Sequence, residues 1–301
     1  MKINLIKASY LLLASLTVGS FISCSPDEVS GNGNGLSDPN ADAAFSVAPV
    51  EGSANRFVLT ANGVNVASHR WELGDGSPEY LGSDQESIFL PDADTYTITH
   101  KAAGRGGLIN TSTQTVTVAT SDLAAGNLIK GGKLKSAADV AQWTILNISS
   151  SDASVTLTPG TNGALGNATF VATGYQQKGI YQKVTLQANK EYNVDMTVTS
   201  AAGATYTWFE VYLLTSQPVD GNDYGGDKIL RLNSWDCWDN VPTPFNGLLS
   251  ALNCENDSGT ATLKGIVKVN TAGDYYLLIK SGGNSNSIVS ATNISLRGRA
   301  N

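Results

Sequence analysis

The residues best suited to chemistry lie in a strand-like segment at residues 205–214. Because alternate side chains of a strand point to opposite faces, Phe209, Val211 and Leu213 share an apolar face. The opposite face carries aromatic rings beside a carboxylate, at Tyr206, Trp208, Glu210 and Tyr212. Aromatic rings pack on the C–H-rich faces of a pyranose, and the sugar hydroxyl groups need polar partners. This face is predicted to bind sugar. The alternative is that another sheet covers it and the tyrosine hydroxyl groups bond internally.

A second cluster of aromatic and polar residues follows at residues 228–239. Leu230 and Leu232 share one face of a predicted strand, so that the polar side chains take the other face. An exposed tryptophan is costly to leave uncovered unless it binds something. The alternative is that a tryptophan packs on a disulfide formed by the nearby Cys237. The residues of this run predicted to contact a ligand are Arg231, Asn233, Trp235 and Trp238.

Tyr224 lies between these two clusters, in the glycine-rich run at residues 221–226. Glycine-rich loops move easily, and binding residues are often carried on loops. We therefore expect Tyr224 to close over a bound ligand. Trp143, which begins a strand-like run of its own, is expected in the core instead.

The usual catalytic constellations are absent from the sequence. The chain has two histidines, His69 and His100, which we expect on strand edges; neither lies beyond residue 127, so Ser-His-Asp, Cys-His and zinc-His chemistry is not expected there. Retaining β-glucanases with an E-x-D-x-x-E motif hold two carboxylates about 5 Å apart. Glu191 and Asp195 have a different spacing, and Glu210 stands alone on its strand. An enzyme is therefore not predicted. Nucleic acid is not an expected partner either, because the net charge is −7.

Residues 1–23 are predicted to be a secretion signal, with an apolar stretch too short to span a bilayer. The run that ends in Ile22-Ser23-Cys24 resembles the lipobox of bacterial lipoproteins, which implies acylation of Cys24. Residues 24–41 are predicted to be a flexible tether. The acidic pair Asp27-Glu28 is similar to the export signal of outer-surface lipoproteins in Gram-negative glycan-foraging bacteria. We expect a lipid anchor in the outer membrane, facing the cell exterior. The alternative is a plain signal peptide with a chance cysteine.

The remaining two cysteines, Cys237 and Cys254, are predicted to form a disulfide. An export signal implies an oxidising compartment, where an even pair of cysteines usually bonds. The alternative is a metal site, which the absence of nearby histidine disfavours.

Composition indicates β-structure, since charged residues make up 15% of the chain and glycine supplies 31 of 301 residues. Residues 42–119 show short alternating runs separated by turns, which is typical of a sandwich. The motif Trp71-Glu72-Leu73-Gly74-Asp75-Gly76 resembles the W-x-F-G-D-G signature of PKD domains, and residues 94–98 resemble their G-x-Y-T-V strand. This resemblance implies an Ig-like β-sandwich in which Trp71 fills the core and which serves as a spacer.

Residues 127–301 are predicted to form a second, all-β module, and many strands with little helix favour a jelly roll. Residues 127–134 resemble the N-L-x-x-N-G-D-F start of family 4 and family 9 carbohydrate-binding modules. Residues 179–186 resemble their G-x-x-Q-x-V-x-L strand, and residues 273–277 and 291–296 resemble their last two strands.

No cofactor is expected in this module. Lys133 stands where the resembled family often has an acidic residue or Asn near a structural calcium. A cation cannot ligate calcium, so a calcium site at this position is disfavoured.

Together these resemblances imply a non-catalytic surface lipoprotein that captures polysaccharide, in particular a β-glucan of the laminarin kind. They also imply two partners, an outer-membrane transporter and the surface glycanases of the same system. The alternatives are a structural or adhesive lipoprotein and a glycoside hydrolase. The aromatic face distinguishes them, because an adhesin to protein has no need of two tryptophans beside Asn, Asp and Arg.

Overall fold

The computed structural model describes residues 41–226, 228–252 and 264–299. The predictions for the secretion signal, Cys24, nearly all of the tether and Cys254 concern residues outside these ranges. Among the described residues, regular structure is almost entirely β-strand, which confirms the predicted all-β class. No helix in the described ranges is long and apolar enough to cross a membrane.

The first seven strands pair only among themselves, in two sheets. One sheet has the order β1-β2-β5 and the other β4-β3-β6-β7, and all of their pairings are antiparallel. These strands are β1 (Phe45–Pro49), β2 (Arg56–Ala61), β3 (Val66–Glu72), β4 (Tyr80–Gly82), β5 (Gln85–Phe89), β6 (Asp94–Gly104) and β7 (Ile109–Val118).

The core of this first half contains Trp71, as its sequence motif implied. Trp71 is fully buried, and its indole N–H donates to the Ser83 carbonyl at 3.0 Å. Gly74 makes the turn after β3 with a φ of +70°, and a side chain there would press on the backbone of Thr97. The expectation that His69 and His100 lie on strand edges is wrong, because they lie on the inner strands β3 and β6. The His100 ring is buried and stacks on Trp71 at 4.1 Å.

The second half forms two further antiparallel sheets, ordered β15-β12-β18-β10-β9 (with β16 also on β12) and β14-β13-β17-β11-β8. Its elements are α1 (Ala137–Val140), β8 (Thr144–Leu146), β9 (Ala153–Thr158), β10 (Asn167–Ala172), β11 (Gln176–Leu186), β12 (Lys190–Ser200), β13 (Thr207–Leu214), β14 (Leu230–Asn233), α2 (Ser234–Trp238), β15 (Phe245–Leu248), α3 (Leu249–Leu252), β16 (Ile266–Val269), β17 (Gly273–Gly283) and β18 (Ile288–Gly298).

These two sheets pack face to face around one apolar core. Alternate residues of β12, including Val194 and Met196, meet Phe209 and Val211 of β13 in this core. Phe170 and Phe209 contact edge to face across it, with ring centroids 5.5 Å apart. Trp143 is buried in the same core, as predicted.

Ion pairs join the two groups of strands. Arg297 of β18 holds Asp92 with both terminal nitrogens, each 2.6 Å from a carboxylate oxygen. Lys133 and Lys135 hold Asp94 at 3.2 and 2.9 Å. Lys133, which the family resemblance placed near a calcium site, is thus bonded to a carboxylate of the first half of the chain.

Candidate functional site

The five-stranded sheet β14-β13-β17-β11-β8 has one face in the core and one face turned away from it, which we call the outer face. Strand β13 divides between these faces by the predicted alternation. Phe209 and Val211 are fully buried in the core, whereas Trp208 and Glu210 line a cleft on the outer face. The period of two therefore places the polar and aromatic residues of this strand together.

This cleft, the tryptophan cleft, has a volume of about 320 Å³ and is open to solvent. Its wall combines aromatic rings with carboxylates, amides and ammonium groups. The residues that line it are Gln177, Trp208, Glu210, Tyr212, Asp223, Tyr224, Gly225, Lys228, Asn233 and Lys280.

The indole of Trp208 lies across the neighbouring strand. Trp208 pairs with Gly282 of β17, and a Cβ atom at position 282 would come within 2.3 Å of the indole Cζ2. The indole N–H reaches Gln177 of β11, where it donates to the side-chain oxygen at 3.4 Å. The missing side chain at Gly282 is what allows the ring to lie over the sheet.

Two further rings continue from Trp208 toward the sheet edge. Trp235 lies 6.4 Å from Trp208 with the ring planes tilted by 32°. Tyr206 meets Trp235 edge to face at 5.9 Å and 78°. None of these three rings belongs to an apolar core cluster of the described residues. We call them the aromatic row.

Glu210 is buried at the base of the cleft among cations. One of its oxygens accepts a hydrogen bond from Tyr212 at 2.8 Å and lies 3.4 Å from the Lys280 Nζ. The other lies 3.8 Å from the Lys228 Nζ and 4.0 Å from the Arg231 Nε. Burial and the adjacent Glu210 carboxylate raise the pKa of Tyr212, so that its hydroxyl stays a donor.

Lys280 connects Glu210, at the bottom of the cleft, to the loop at residues 221–226. Its ammonium is buried, lies 2.6 Å from Asp223 and sits 5.4 Å from the centre of the Tyr212 ring. Desolvation raises the pKa of Asp223, but the pairing with Lys280 outweighs it and holds that pKa below its usual value. Tyr224, next in the loop, accepts a hydrogen bond from the Val219 N–H through its hydroxyl oxygen at 2.7 Å. This loop is thereby tied down beside the cleft.

Two of the residues predicted to contact the ligand, Asn233 and Arg231, stabilise the structure around the cleft. Asn233 caps α2, where its side-chain oxygen accepts from the Trp235 N–H at 2.8 Å, and it also lines the cleft. Arg231 is buried, lies 3.1 Å from Asp236 and is not among the cleft-lining residues. Its part in the site is to balance the charge of Glu210 from behind.

Trp238 does not join the aromatic row. Its ring stacks on Phe245 at 5.1 Å and 15°, and it packs against the main core together with Cys237. The reason is that Phe245 of β15 and the main core offer the Trp238 ring an apolar surface, although its neighbours in the sequence are polar. The expectation of an exposed platform at Trp238 is therefore corrected.

A second cleft of about 420 Å³, the tyrosine cleft, contains Tyr181 of β11 and Tyr276 of β17. Their rings meet edge to face at 6.3 Å, and Gln217 donates to the Tyr181 hydroxyl at 3.2 Å. Sequence reasoning did not select these residues, nor Gln177, Asp223, Lys228 and Lys280 of the tryptophan cleft. The alternation of side chains along β11 and β17 could have identified the two tyrosines and Lys280. Their neighbours along the strand are apolar and face the core, which places these three residues on the outer face.

In the described ranges, no group of three or more His, Cys, Asp and Glu side chains is placed to hold a metal ion. The proposed disulfide stays a prediction, because Cys254 lies outside those ranges.

A scan against protein-family models found no match, and no curated protein matches the chain. Solved structures do resemble it. The active domain of tailspike protein 4 of bacteriophage CBA120 is 10% identical over 57% of this chain with a TM-score of 0.36, and this chain covers about a fifth (21%) of its length. A structure from a study of carbohydrate-binding modules of the β-sandwich superfamily is 13% identical to this chain with a TM-score of 0.28. The match covers 84% of this chain and 96% of the chain in that structure. A family 4 carbohydrate-binding module is 7% identical with a TM-score of 0.31, over 52% and 86%.

Proposed function

We propose that the outer face of the second half of the chain binds a glycan. The observation that carries this proposal is the indole of Trp208, which lies over Gly282 outside the core with polar groups on both sides of it. Such a ring offers an apolar surface to a sugar face, while Gln177, Glu210 and Asp223 can bond the hydroxyl groups. The indole is half-buried, so part of its surface remains available to a ligand.

The ligand proposed is a polysaccharide. The tryptophan cleft and the tyrosine cleft are both open and both involve β11 and β17 of the same sheet, so a chain of several sugars has room along the face. Glu210 and Asp223 are matched by Lys228 and Lys280, and this balance suits a neutral glycan. Within that class we propose a β-glucan of the laminarin kind, on the resemblance described for residues 127–301.

The cellular role that follows is capture of glycan at the cell surface. Acylation at Cys24 would hold the protein in the outer membrane, facing outward, and residues 24–41 would act as a tether. The sandwich at residues 42–119 would serve as a spacer. The captured chain would pass to surface glycanases and to an outer-membrane transporter.

A glycoside hydrolase is the second candidate, and one observation favours it. Glu210 does not stand alone in space, because Asp223 meets the same Lys280 ammonium. Paired carboxylates beside a sugar are the machinery of glycosidases. The lowered pKa of Asp223 makes this residue unsuited to be the general acid of such a pair, however, and both carboxylates are held by the same Lys280 ammonium. We therefore propose binding without turnover.

The test uses the soluble chain from residue 25 onward on a glycan array, followed by calorimetry with the best ligand. We expect Trp208→Ala to weaken binding about thirtyfold, equivalent to ~2 kcal/mol, with an unchanged melting temperature. Leu165→Ala is the matched control, because Leu165 is an exposed apolar residue that lines neither cleft. Normal binding by Trp208→Ala would contradict the proposal. Release of reducing sugar that Glu210→Gln abolishes would establish the hydrolase instead.

A further inference from the structure

Tyr206 has a backbone conformation that its side chain disfavours. Its φ is +46°, in the left-handed region, and the residue is 44% exposed. A bulky residue rarely adopts this conformation, because its Cβ then crowds the following carbonyl. Strain of this kind persists where the surroundings impose it, and it is concentrated at functional sites.

A network of hydrogen bonds imposes the conformation from both sides. Asn240 accepts through its side-chain oxygen from the Tyr206 N–H at 3.0 Å and from the Ser234 hydroxyl at 2.8 Å. The Ser234 oxygen, which is buried, accepts in turn from the Thr207 N–H at 3.0 Å. The Tyr206 carbonyl accepts from the Asn284 N–H at 2.9 Å. The turn after α2 and the β17–β18 turn therefore fix this residue together.

The effect of this conformation is to hold one ring at the end of the aromatic row. The planes of Trp208 and Trp235 are tilted by 32°, and Tyr206 stands at 78° to Trp235. A sugar packed flat on one ring is therefore not parallel to the next ring. A straight, ribbon-like glycan can lie parallel to only one of the three surfaces, whereas a chain whose successive rings turn can follow several.

We propose that Tyr206, at the end of the aromatic row that begins in the tryptophan cleft, is a specificity-determining residue that selects glycans with turned successive rings over flat ribbons. This inference rests on the proposed glycan-binding function. Among glucose chains, β-1,3 linkages produce helical chains and β-1,4 linkages produce flat ribbons, so the two linkages are probes of the same composition.

The experiment measures the affinity of the soluble chain from residue 25 onward for β-1,3-linked and β-1,4-linked glucose hexasaccharides by calorimetry. The wild-type protein is expected to prefer the β-1,3 chain. Tyr206→Ala should weaken β-1,3 binding by about threefold to tenfold, as expected for loss of one aromatic contact, and change β-1,4 binding little. Tyr206→Phe, which keeps the ring, should keep the preference.

A stability measurement separates the binding role from a structural one. Glycine adopts a φ of +46° without strain, so Tyr206→Gly should melt about 2–4 °C above Tyr206→Ala. Both variants should lose β-1,3 binding equally, because both lack the ring. If the tyrosine served the fold, Tyr206→Phe would melt like the wild-type protein and both truncations would unfold early without a change in preference.

Three outcomes overturn the inference. An unchanged preference in Tyr206→Ala, or a wild-type preference for the β-1,4 chain, refutes the role of Tyr206 while glycan binding stands. Absence of wild-type binding to every glycan on the array refutes the proposed function, and the inference falls with it.

Discussion

Tryptophans with nearly adjacent positions in the sequence have opposite roles because their surroundings differ. Trp235 reaches Trp208 on the outer face, whereas Trp238 stacks on Phe245 against the core. We expect Trp238→Ala to destabilise the protein by ~3 kcal/mol, in the range for loss of a large core side chain. Chemical denaturation measures this change, and Trp208→Ala is the control that should unfold like the wild-type protein. Equal stability of the two variants would contradict the assignment.

His100 makes stability depend on pH at the residue scale. Its Nδ1 lies 2.8 Å from the Ala43 carbonyl, which only accepts, so in the neutral ring Nδ1 carries the proton and Nε2 faces His69 at 3.0 Å. Burial lowers the pKa of His100 from 6.5, and His69 acts in the same direction, against the Ala43 carbonyl and Asp42.

The sign of the pH effect follows from this lowered pKa. Below pH 6.5 the unfolded chain takes up a proton at residue 100 more readily than the folded chain does. The contribution of His100 to the free energy of unfolding is therefore complete above this pH and is lost as the pH decreases through it. Urea unfolding between pH 7.5 and 5.5 should show the decrease, and His100→Asn should flatten it. The carboxyl groups of Asp92 and Asp94 also make stability depend on pH, but their pKa values are lowered from 3.8. Their effect therefore falls at lower pH than that of His100. Greater stability at pH 5.5 than at 7.5 would refute the prediction.

At the scale of elements, β17 determines how the Trp208 ring lies. A methyl group at Gly282 would overlap the indole, so Gly282→Ala should lift the ring and weaken glycan binding about as much as Trp208→Ala does. Gly247→Ala in β15 is the matched control, since a Cβ there meets Leu252 only at ordinary distances of 3.6 Å or more. Tryptophan fluorescence and calorimetry should both respond in the first variant alone. Unchanged binding in Gly282→Ala would show that the ring need not lie over the strand.

At the scale of the whole molecule, Asp92 links the two groups of strands. It accepts from both nitrogens of Arg297 and from the Asn127 N–H at 2.8 Å. Asp92→Asn should loosen the connection, and thermolysin should then cut faster before the exposed Leu123. Asp274→Asn is the control, because it removes the same negative charge but breaks only an exposed ion pair with Lys183. Equal cleavage rates would show that the ion pair does not hold the two halves together.

The proposed anchor is also a property of the whole molecule. Cys24→Ala should move the protein from the membrane fraction to the soluble fraction, because the lipid is then not attached. The same fractionation of Ser25→Ala should leave the protein with the membranes. Retention of Cys24→Ala on membranes after a carbonate wash would refute the anchor.

The sequence by itself determined the all-β class, the division of β13 into an apolar and a polar face, and the burial of Trp71 and Trp143. These features depend on local geometry, since a strand has a period of two and its core-facing positions must be apolar. The tertiary structure decided which residues share the tryptophan cleft. Lys280 meets Asp223, Gly282 lies beneath Trp208, and Trp238 packs on Phe245 at the core. These contacts arise because strand pairing brings together segments that are distant in the sequence. His100 is buried for the same reason, since the ring that covers it comes from a neighbouring strand. The alternation of side chains along a strand predicts which face of the sheet a residue takes. Only the order of the strands in the sheet determines which residues lie beside it.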